Sequence, residues 1–369
     1  MGNTSLTIAK REKNDEFYTI YDYIQKEMNA YLEYNPDVFR DKIILLPCDD
    51  PEWSNFTKFF AQNFEAFGIK KLISTSYSIE NKKDKYGLYY ESTIKGFSPE
   101  KTDDKKEFSN GKIFTLTRDI NKSGNIDYDD LEWDYLEGDG DFRSEEVSRL
   151  RDEADIIITN PPFSLFREFI SWVFEKDKGL VVIGTQNAIT YKEIFPLIKE
   201  NKLWLGATAN DVDMVFGVPE GAEVADSDRE KAARLGYVGN YTRLGNACWF
   251  TNLDHGRRHE PLSLMTREDN LRYNKKLINK LQRDFNENDY PQYDNYDVIE
   301  VPFVDAIPSD YTGNMGVPIT FLAKYNPDQF EILGLANSAR WIDYELYTII
   351  NGRKIYNRII ARHRRKNGY

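Results

Sequence analysis

Short apolar runs alternate with segments of helical spacing over roughly the first two thirds of this chain. Six runs are typical of buried strands: residues 43–46, 72–77, 155–159, 179–184, 203–205 and 247–251. After the first run, Phe56, Phe59, Phe60, Phe64 and Phe67 keep helical spacing, and Gly68 is a natural helix stop. This alternation predicts an α/β fold with a mainly parallel, doubly wound sheet.

Further helices are expected to open near residue 19, after residue 163 and near residue 191. The tight loop after the first strand suggests a start for the phenylalanine helix. Asp50 is expected to cap that helix, with Pro51 at its first position. The ligands of such sheets bind beyond the carboxyl ends of the strands, where this loop and the residues after 159 both lie.

The pattern also predicts domain boundaries. The expected segments are a disordered lead at 1–13, an α/β domain at 14–252 and a second domain at 253–369, which is rich in Tyr, Asn and Pro. Residues 79–135 are polar and form an expected insertion with a hairpin strand near 113–117, and residues 217–241 are expected to be a charged loop.

Composition narrows the class of protein. The 369 residues are 40% hydrophobic and 30% charged, without an apolar run near the length that spans a membrane and without a secretory leader pattern. The two cysteines, Cys48 and Cys248, and three histidines form no cluster at metal-ligand spacing. A cytoplasmic protein without a metal centre is therefore expected.

Basic residues are concentrated near the C-terminus, although the net charge is −12. Residues 351–369 contain seven basic residues and no acidic one, and Arg358, Arg362 and Arg365 would share one face of a helix. A second basic stretch covers 272–283. Each stretch alone is equally compatible with a solvated helix face, but together they favour a polyanionic partner.

The most specific motif is Asn160-Pro161-Pro162-Phe163, directly after the strand at 155–159. Each proline holds the residue before it extended. The Asn160 side-chain oxygen and the Pro161 carbonyl are two acceptors that suit a planar amine, and Phe163 suits stacking on its ring. The alternative is a strand-to-helix turn in which Pro162 only begins a helix.

With this motif in place, the chain resembles the EcoRI-type adenine-N6 DNA methyltransferases over most of its length. The resemblance is carried by residues 14–19, 48–51 with 54–56, 139–142, 160–163 and 249–252, in the γ-type order of motifs. It implies a Rossmann-like methyltransferase sheet that binds S-adenosylmethionine (AdoMet) in domain 14–252, and a target-recognition region at 253–369 that binds double-stranded DNA. It also implies direct methyl transfer to N6 of a flipped adenine.

The resemblance assigns a role to each matching residue. Asp15, Phe17, Tyr18 and Thr19 would touch the methionine portion of AdoMet, while Cys48, Asp49 and Asp50 would lie at its charged end. Asp141 would accept from the cofactor's adenine amine, with Phe142 against that ring. Asn160, Pro161, Pro162 and Phe163 would hold the target base, and Trp249 or Phe250 would wall its pocket, although their spacing alone favours a core position.

The DNA contacts are expected from Arg340, Arg353, Lys354, Arg358, Arg362 and Arg365. The sequence departs from the commoner methyltransferase pattern at two points. The loop after the first strand has no glycine, and no acidic residue follows the second strand, so Glu80 is only a guess for the ribose partner. Without the resemblance, Asp49 and Asp50 would be taken as a cap and a turn.

Other functions stay open from the sequence. The same tetrapeptide suits cytosine N4, adenine in RNA or a protein glutamine, and a non-catalytic DNA-binding protein on a methyltransferase fold is the rival from another class. Cys248 does not follow a proline, and Cys48, although Pro47 precedes it, lies in the loop that the resemblance assigns to the cofactor, so a cytosine-C5 nucleophile is not expected. A monomer with a restriction-modification or stand-alone role is expected, with a cognate endonuclease as a candidate partner.

Overall fold

The computed structural model describes residues 18–48, 51, 54–78, 106, 109–209, 213–218, 224–336 and 348–364. Contacts divide the chain into two compact units, Met1–Gln186 with Asp211–Asp254, and Asn187–Asn210 with His255–Tyr369. The residues at 187–210, which the sequence places within the α/β domain, thus group with the later part of the chain.

The strands in chain order are β1 (Tyr18–Thr19), β2 (Ile43–Leu46), β3 (Lys71–Ser76), β4 (Lys112–Leu116), β5 (Glu132–Tyr135), β6 (Ile156–Thr159), β7 (Gly179–Thr185), β8 (Trp204–Leu205), β9 (Met214–Gly217), β10 (Tyr241–Leu244), β11 (Ala247–Thr251), β12 (Val298–Glu300), β13 (Asn314–Val317), β14 (Phe330–Ala336), β15 (Ile349–Ile350), β16 (Arg353–Lys354) and β17 (Arg358–His363). The six apolar runs named from the sequence all contain strands, so those predictions are confirmed.

The α-helices are α1 (Tyr21–Tyr34), α2 (Asn55–Gln62), α3 (Phe64–Phe67), α4 (Glu145–Glu153), α5 (Phe166–Phe174), α6 (Phe195–Lys199), α7 (Asp226–Arg234), α8 (Arg267–Tyr273) and α9 (Lys275–Phe285). The phenylalanine helix is confirmed as α2 and α3. Its predicted end at Gly68 is confirmed by a left-handed φ of 64°. Across the described residues, no helix combines the length and apolar character needed to cross a membrane.

Seven strands of the first unit lie side by side in the order β5-β4-β3-β2-β6-β7-β11. The four central strands, β3, β2, β6 and β7, are parallel to one another. The outer strands β4, β5 and β11 each run antiparallel to the strand on their inner side. The prediction of a mainly parallel sheet is therefore corrected to a mixed sheet. The strands β4 and β5 extend it, so the later part of the predicted insertion at 79–135 belongs to the sheet itself.

Helices cover both faces of this sheet. Trp249 and Phe250 are neighbours on β11 and therefore point to opposite faces. Trp249 packs edge-on against Phe56 of α2, with ring centroids 6.0 Å apart, while Phe250 packs against Phe166 of α5 at 5.1 Å. Gly184 of β7 leaves the space for this second contact, because a Cβ there would lie 2.5 Å from the Phe166 ring. The doubly wound arrangement is thus present around the mixed sheet.

Three local predictions were wrong. The helix α2 begins at Asn55 and is capped by the Ser54 hydroxyl, which accepts from the Phe56 amide at 3.0 Å, so Asp50 and Pro51 do not begin it. The helix expected near 191–200 is only the short α6. The expected loop at 217–241 contains α7, which packs on β10. Packing of Phe56, Phe59 and Phe60 in the core sets where the helix begins, and the Ser54 hydroxyl then caps it.

The second unit contains a four-stranded sheet in the order β12-β13-β17-β14 and the hairpin β15-β16. The pair β12-β13 is parallel, and β17 runs antiparallel to both of its neighbours. Arg358, Arg362 and Arg365 were predicted to share one face of a helix. This prediction is wrong for Arg358 and Arg362, and Arg365 lies outside the described residues. Residues 358–363 form the inner strand β17, because Ile359, Ile360 and Ala361 are fully buried there.

Candidate active site at the carboxyl ends of the parallel strands

The turn at 160–163 follows the fully buried strand β6, which lies between β2 and β7. Pro161 is buried, whereas Asn160, Pro162 and Phe163 are half-buried. Pro162 is extended, with φ −54° and ψ 126°, and its carbonyl accepts from the Leu165 amide at 3.0 Å. Pro162 therefore precedes a short 3₁₀ turn, and α5 begins only at Phe166, so the proline does not simply begin this helix.

Phe163 opens the 3₁₀ turn and packs against the core of the first unit while keeping part of its ring exposed. Packing of one side fixes the ring, and the exposed side remains available for contact with a flat partner. The turn thus joins a half-buried amide and a half-exposed aromatic ring at the end of one central strand.

A second segment is held at the amino end of α2. The strand β1 pairs with β9 through Tyr18 and Thr19, and the Asn55 side-chain amide donates to the Thr19 carbonyl at 2.8 Å. The Thr19 hydroxyl is buried, yet it has no hydrogen-bond partner among the described residues. A buried hydroxyl without a partner is costly, so this position favours a polar ligand group beside it.

Asn55 is a residue whose role the sequence did not assign. Only its place between Ser54 and Phe56 in the resemblance signalled it. In the structure the three residues act together: Ser54 caps α2, Asn55 holds β1, and Phe56 packs against Trp249. The short motif therefore fixes the position of Thr19.

The loop that carries Asp141 packs against the end of β3. Gly140 has a φ of +86°, and a Cβ there would lie 2.1 Å from the Ser76 carbonyl oxygen, so only glycine fits without a shift. The Ser78 amide donates to the Asp139 carbonyl at 2.8 Å. These contacts bring Asp141 to the same edge of the sheet as the ends of β2 and β3.

The Asp141 carboxylate accepts hydrogen bonds from two neighbouring side chains. Arg143 donates to both carboxylate oxygens, with Nη2 to Oδ2 at 2.7 Å and Nε to Oδ1 at 3.0 Å, and the Tyr77 hydroxyl donates as well. Burial raises the pKa of Asp141, but the Arg143 hydrogen bonds outweigh this and hold the pKa below its ordinary value. These donors use most of the roughly four acceptor positions of the carboxylate, and the bond to the cofactor's adenine amine stays a prediction.

Tyr77 is the residue that sequence reasoning missed at this edge. Burial raises the pKa of Tyr77, and the nearby Cys48 and Asp141 raise it further, so the phenol stays protonated and can donate. The structure thus brings Cys48, Tyr77 and Asp141 together. A polar residue at the end of an apolar strand was the only available signal for Tyr77.

Three predicted aromatic contacts are replaced by core packing. Phe142 is fully buried against Phe169 and Trp172, at centroid distances of 5.1 and 5.5 Å, so it offers no face to an adenine ring. Trp249 and Phe250 are 2% and 0% exposed, and the core positions that their spacing favoured account for both. These three rings are packed in the apolar core on the two faces of the sheet.

In the second unit, Arg353 and Lys354 lie exposed on the hairpin β15-β16. Arg358 is instead buried at 7% exposure, and its Nη2 lies 2.6 Å from the Glu300 carboxylate oxygen Oε1. Arg362 pairs with Glu331 of the neighbouring strand β14, Nε to Oε2 at 2.9 Å. The predicted DNA contact of Arg358 is therefore corrected to a structural ion pair, since its guanidinium is inaccessible.

Several predicted residues lie outside the described part of the chain. They are Asp15, Phe17, Asp49, Asp50, Glu80, Arg340 and Arg365. Among the described residues, no group of three or more His, Cys, Asp or Glu side chains is arranged to hold a metal ion.

Comparison with known proteins adds the family. The family model described as "Adenine-specific methyltransferase EcoRI" matches residues 5–367. The chain is 40% identical to the type II methyltransferase M.EcoRI of Escherichia coli, over 98% of this chain and 97% of that protein. It is 33% identical to the type II methyltransferase M.MpnI of Mycoplasma pneumoniae, over 91% and 87% of the two chains. No solved structure matches this chain.

Proposed function

This chain belongs to the EcoRI family of adenine-specific methyltransferases, and we propose that it transfers a methyl group from AdoMet to N6 of a flipped adenine in double-stranded DNA. It is a DNA methyltransferase that acts on adenine. The observation that supports the site assignment is the turn at 160–163, which presents a half-buried amide and an aromatic ring at the end of the central strand β6.

The turn supplies acceptors and a stacking surface. The amine nitrogen of adenine is a poor nucleophile, because its lone pair is delocalised into the ring. The Asn160 side-chain oxygen and the Pro161 carbonyl accept the two amine hydrogens and stabilise the charge that develops on nitrogen. Phe163 stacks on the base, which is worth about 1–3 kcal/mol and offsets much of the few kcal/mol needed to flip it from the duplex.

The described residues at the same edge fit AdoMet as the methyl donor. The buried Thr19 hydroxyl has no hydrogen-bond partner among them, and Cys48, Tyr77 and Asp141 form a polar group at the ends of β2 and β3. When bound, AdoMet supplies an activated methyl group on a positively charged sulfur. Thr19 and Tyr18 would hold its methionine portion, and Asp141 would orient Tyr77 toward it.

We further propose that the second unit recognises the DNA target, with Arg353 and Lys354 on phosphates. A cytoplasmic monomer is sufficient for such a reaction, because two successive encounters methylate both strands of a palindrome. A restriction-modification role with a partner endonuclease, or a stand-alone role, both fit this activity.

The test is transfer of labelled methyl groups from AdoMet to unmethylated duplex DNA, followed by digestion and mass spectrometry of the nucleosides. We expect N6-methyladenine with the wild type. Asn160→Ala should lose it while retaining the wild-type unfolding temperature. N4-methylcytosine as the product, or methylation of RNA alone, would contradict the assignment. A thermal shift with AdoMet, weakened by Thr19→Val, tests donor binding separately.

A further inference from the structure

The helix α9 carries a row of cations beside its buried face. Leu277 and Leu281 are 0% and 1% exposed and anchor the helix. Lys276, Lys280 and Arg283 follow one another at spacings of four and three residues and therefore share another face. The Lys276 ammonium lies 4.0 Å from the centre of the Phe303 ring, which holds that side chain in place.

The hairpin β15-β16 lies next to this face. Tyr356, just after the hairpin, is 69% exposed, and the Lys280 ammonium lies 5.9 Å from the centre of its ring. Ile350 and Ile355 share a small core with Phe285 at the end of α9. The cations of the helix, of which Lys280 is half-buried, and those of the hairpin are thus held by the same apolar cluster.

The turn of the hairpin is also fixed. The Asp294 carboxylate accepts from the backbone amides of Asn351 and Gly352, at 3.2 and 2.7 Å. Gly352 has a φ of +72°, a conformation that suits glycine. Arg353 and Lys354 therefore follow a turn held in place, so their cations are presented by a defined backbone.

We propose that Lys276, Lys280, Arg283, Arg353 and Lys354 form one basic surface that binds the sugar-phosphate backbone of the target DNA. This inference rests on the proposed function and deepens it, because it adds the α9 face to the hairpin. The whole chain has a net charge of −12, so a surface of five cations is a local exception that suits a polyanion. From Lys276 to Arg283 the helix rises roughly 10 Å, which matches about three nucleotide steps of one strand.

Asp284 is an acidic side chain that lies among the cations of α9. It pairs with Lys280 and, at 2.6 Å, with Arg283, and these two hydrogen bonds lower its pKa to about 2. The carboxylate is thus charged at neutral pH and aligns two of the cations while repelling a phosphate. Removing this carboxylate should strengthen DNA binding, whereas removing the cations should weaken it.

The experiment measures DNA affinity against salt concentration for the full-length protein, using one unmethylated duplex that the wild type methylates. Lys276→Gln/Lys280→Gln/Arg283→Gln is compared with the wild type and with Lys324→Gln, an exposed lysine of the same unit outside the surface. Each lost phosphate contact should reduce the slope of log K against log salt by about 0.9. We expect the triple variant to lose nearly three units of slope and Lys324→Gln to lose none.

Asp284→Asn should bind DNA more tightly than the wild type, because it removes a repelling charge and releases two cations. An unchanged slope in the folded triple variant, or weaker binding by Asp284→Asn, would overturn the proposed surface. The proposed function fails in a different way, namely if the wild type methylates adenine in no unmethylated duplex, so that no such substrate can be chosen. Far-ultraviolet circular dichroism and the unfolding temperature of each variant exclude loss of fold as the cause.

Discussion

The turn at 160–163, which we propose to be catalytic, and the basic C-terminal segment position their side chains by different physical means. The turn at 160–163 is fixed by its own sequence, because two prolines follow a fully buried strand. The segment at 353–362 is fixed by distant partners: Arg358 pairs with Glu300, and Arg362 pairs with Glu331. The first arrangement is therefore local and predictable, whereas the second depends on how separate strands align.

Within the basic segment, cations that are close in sequence differ in burial. Arg358 belongs to β17 and is buried with Glu300, whose other carboxylate oxygen accepts from the Tyr293 hydroxyl at 2.6 Å. Although burial alone lowers it, the charge of Glu300 holds the pKa of Arg358 above its ordinary value. Arg353 and Lys354 are exposed on the hairpin. Residue type does not distinguish the structural cation Arg358 from the proposed DNA-binding cations Arg353 and Lys354; their positions in the fold do.

The largest effect is expected from breaking the buried pair. Arg358→Ala leaves the Glu300 carboxylate buried without its cation, which should cost about 3–5 kcal/mol in the free energy of unfolding. Urea unfolding of the full chain measures this loss. The double replacement Glu300→Leu/Arg358→Met is the control and should recover much of it, since neither charge remains buried. Equal destabilisation by both variants would show that the charge pair is not the cause.

A smaller effect is expected at the stacking residue of the turn. Phe163→Ala should weaken binding of the flipped base by about 1–3 kcal/mol, seen as a reduced kcat/KM for duplex DNA. Phe163→Tyr retains a ring and should stay close to the wild type. A mismatched target adenine should favour the wild type and Phe163→Ala by the same factor, because less energy is needed to flip that base while the stacking loss stays the same.

The smallest effect is expected on the hairpin. Each of Arg353→Gln and Lys354→Gln should reduce the salt slope of DNA binding by about 0.9 and change the free energy of unfolding by no more than about 0.5 kcal/mol. Salt titrations of binding and urea unfolding provide both values. A loss of stability comparable to that of Arg358→Ala would remove the distinction between the two kinds of cation.

The difference between features fixed by local sequence and features fixed by distant partners explains what the sequence predicts. The strands β2 and β11 begin and end where their apolar runs do, and β6 begins one residue inside its run, because burial of a strand is visible in its own residues. The turn at 160–163 is also predictable, because its two prolines restrict the backbone locally. The cap of α2 was misplaced because Asp50 and Ser54 are both good caps, and only packing decides between them.

Other features have no local signal. Glu300 and Arg358 are 58 residues apart in sequence, so the burial of Arg358 depends on the order of strands in the second sheet. Basic spacing alone therefore predicted a helical face where a strand is present. Likewise, Phe142 stands in a motif-like position, but two aromatic neighbours from α5 enclose it.

The most direct test of the account is the rate of adenine methylation in a single turnover, measured over a range of DNA concentrations. Asn160→Ala is compared with Arg353→Gln/Lys354→Gln. The account predicts that Asn160→Ala is about 100- to 1000-fold slower even at saturating DNA, because it removes an acceptor used during transfer. The hairpin variant should reach the wild-type rate once DNA saturates it. A wild-type rate for Asn160→Ala at saturating DNA would contradict the assignment of the turn as the catalytic site.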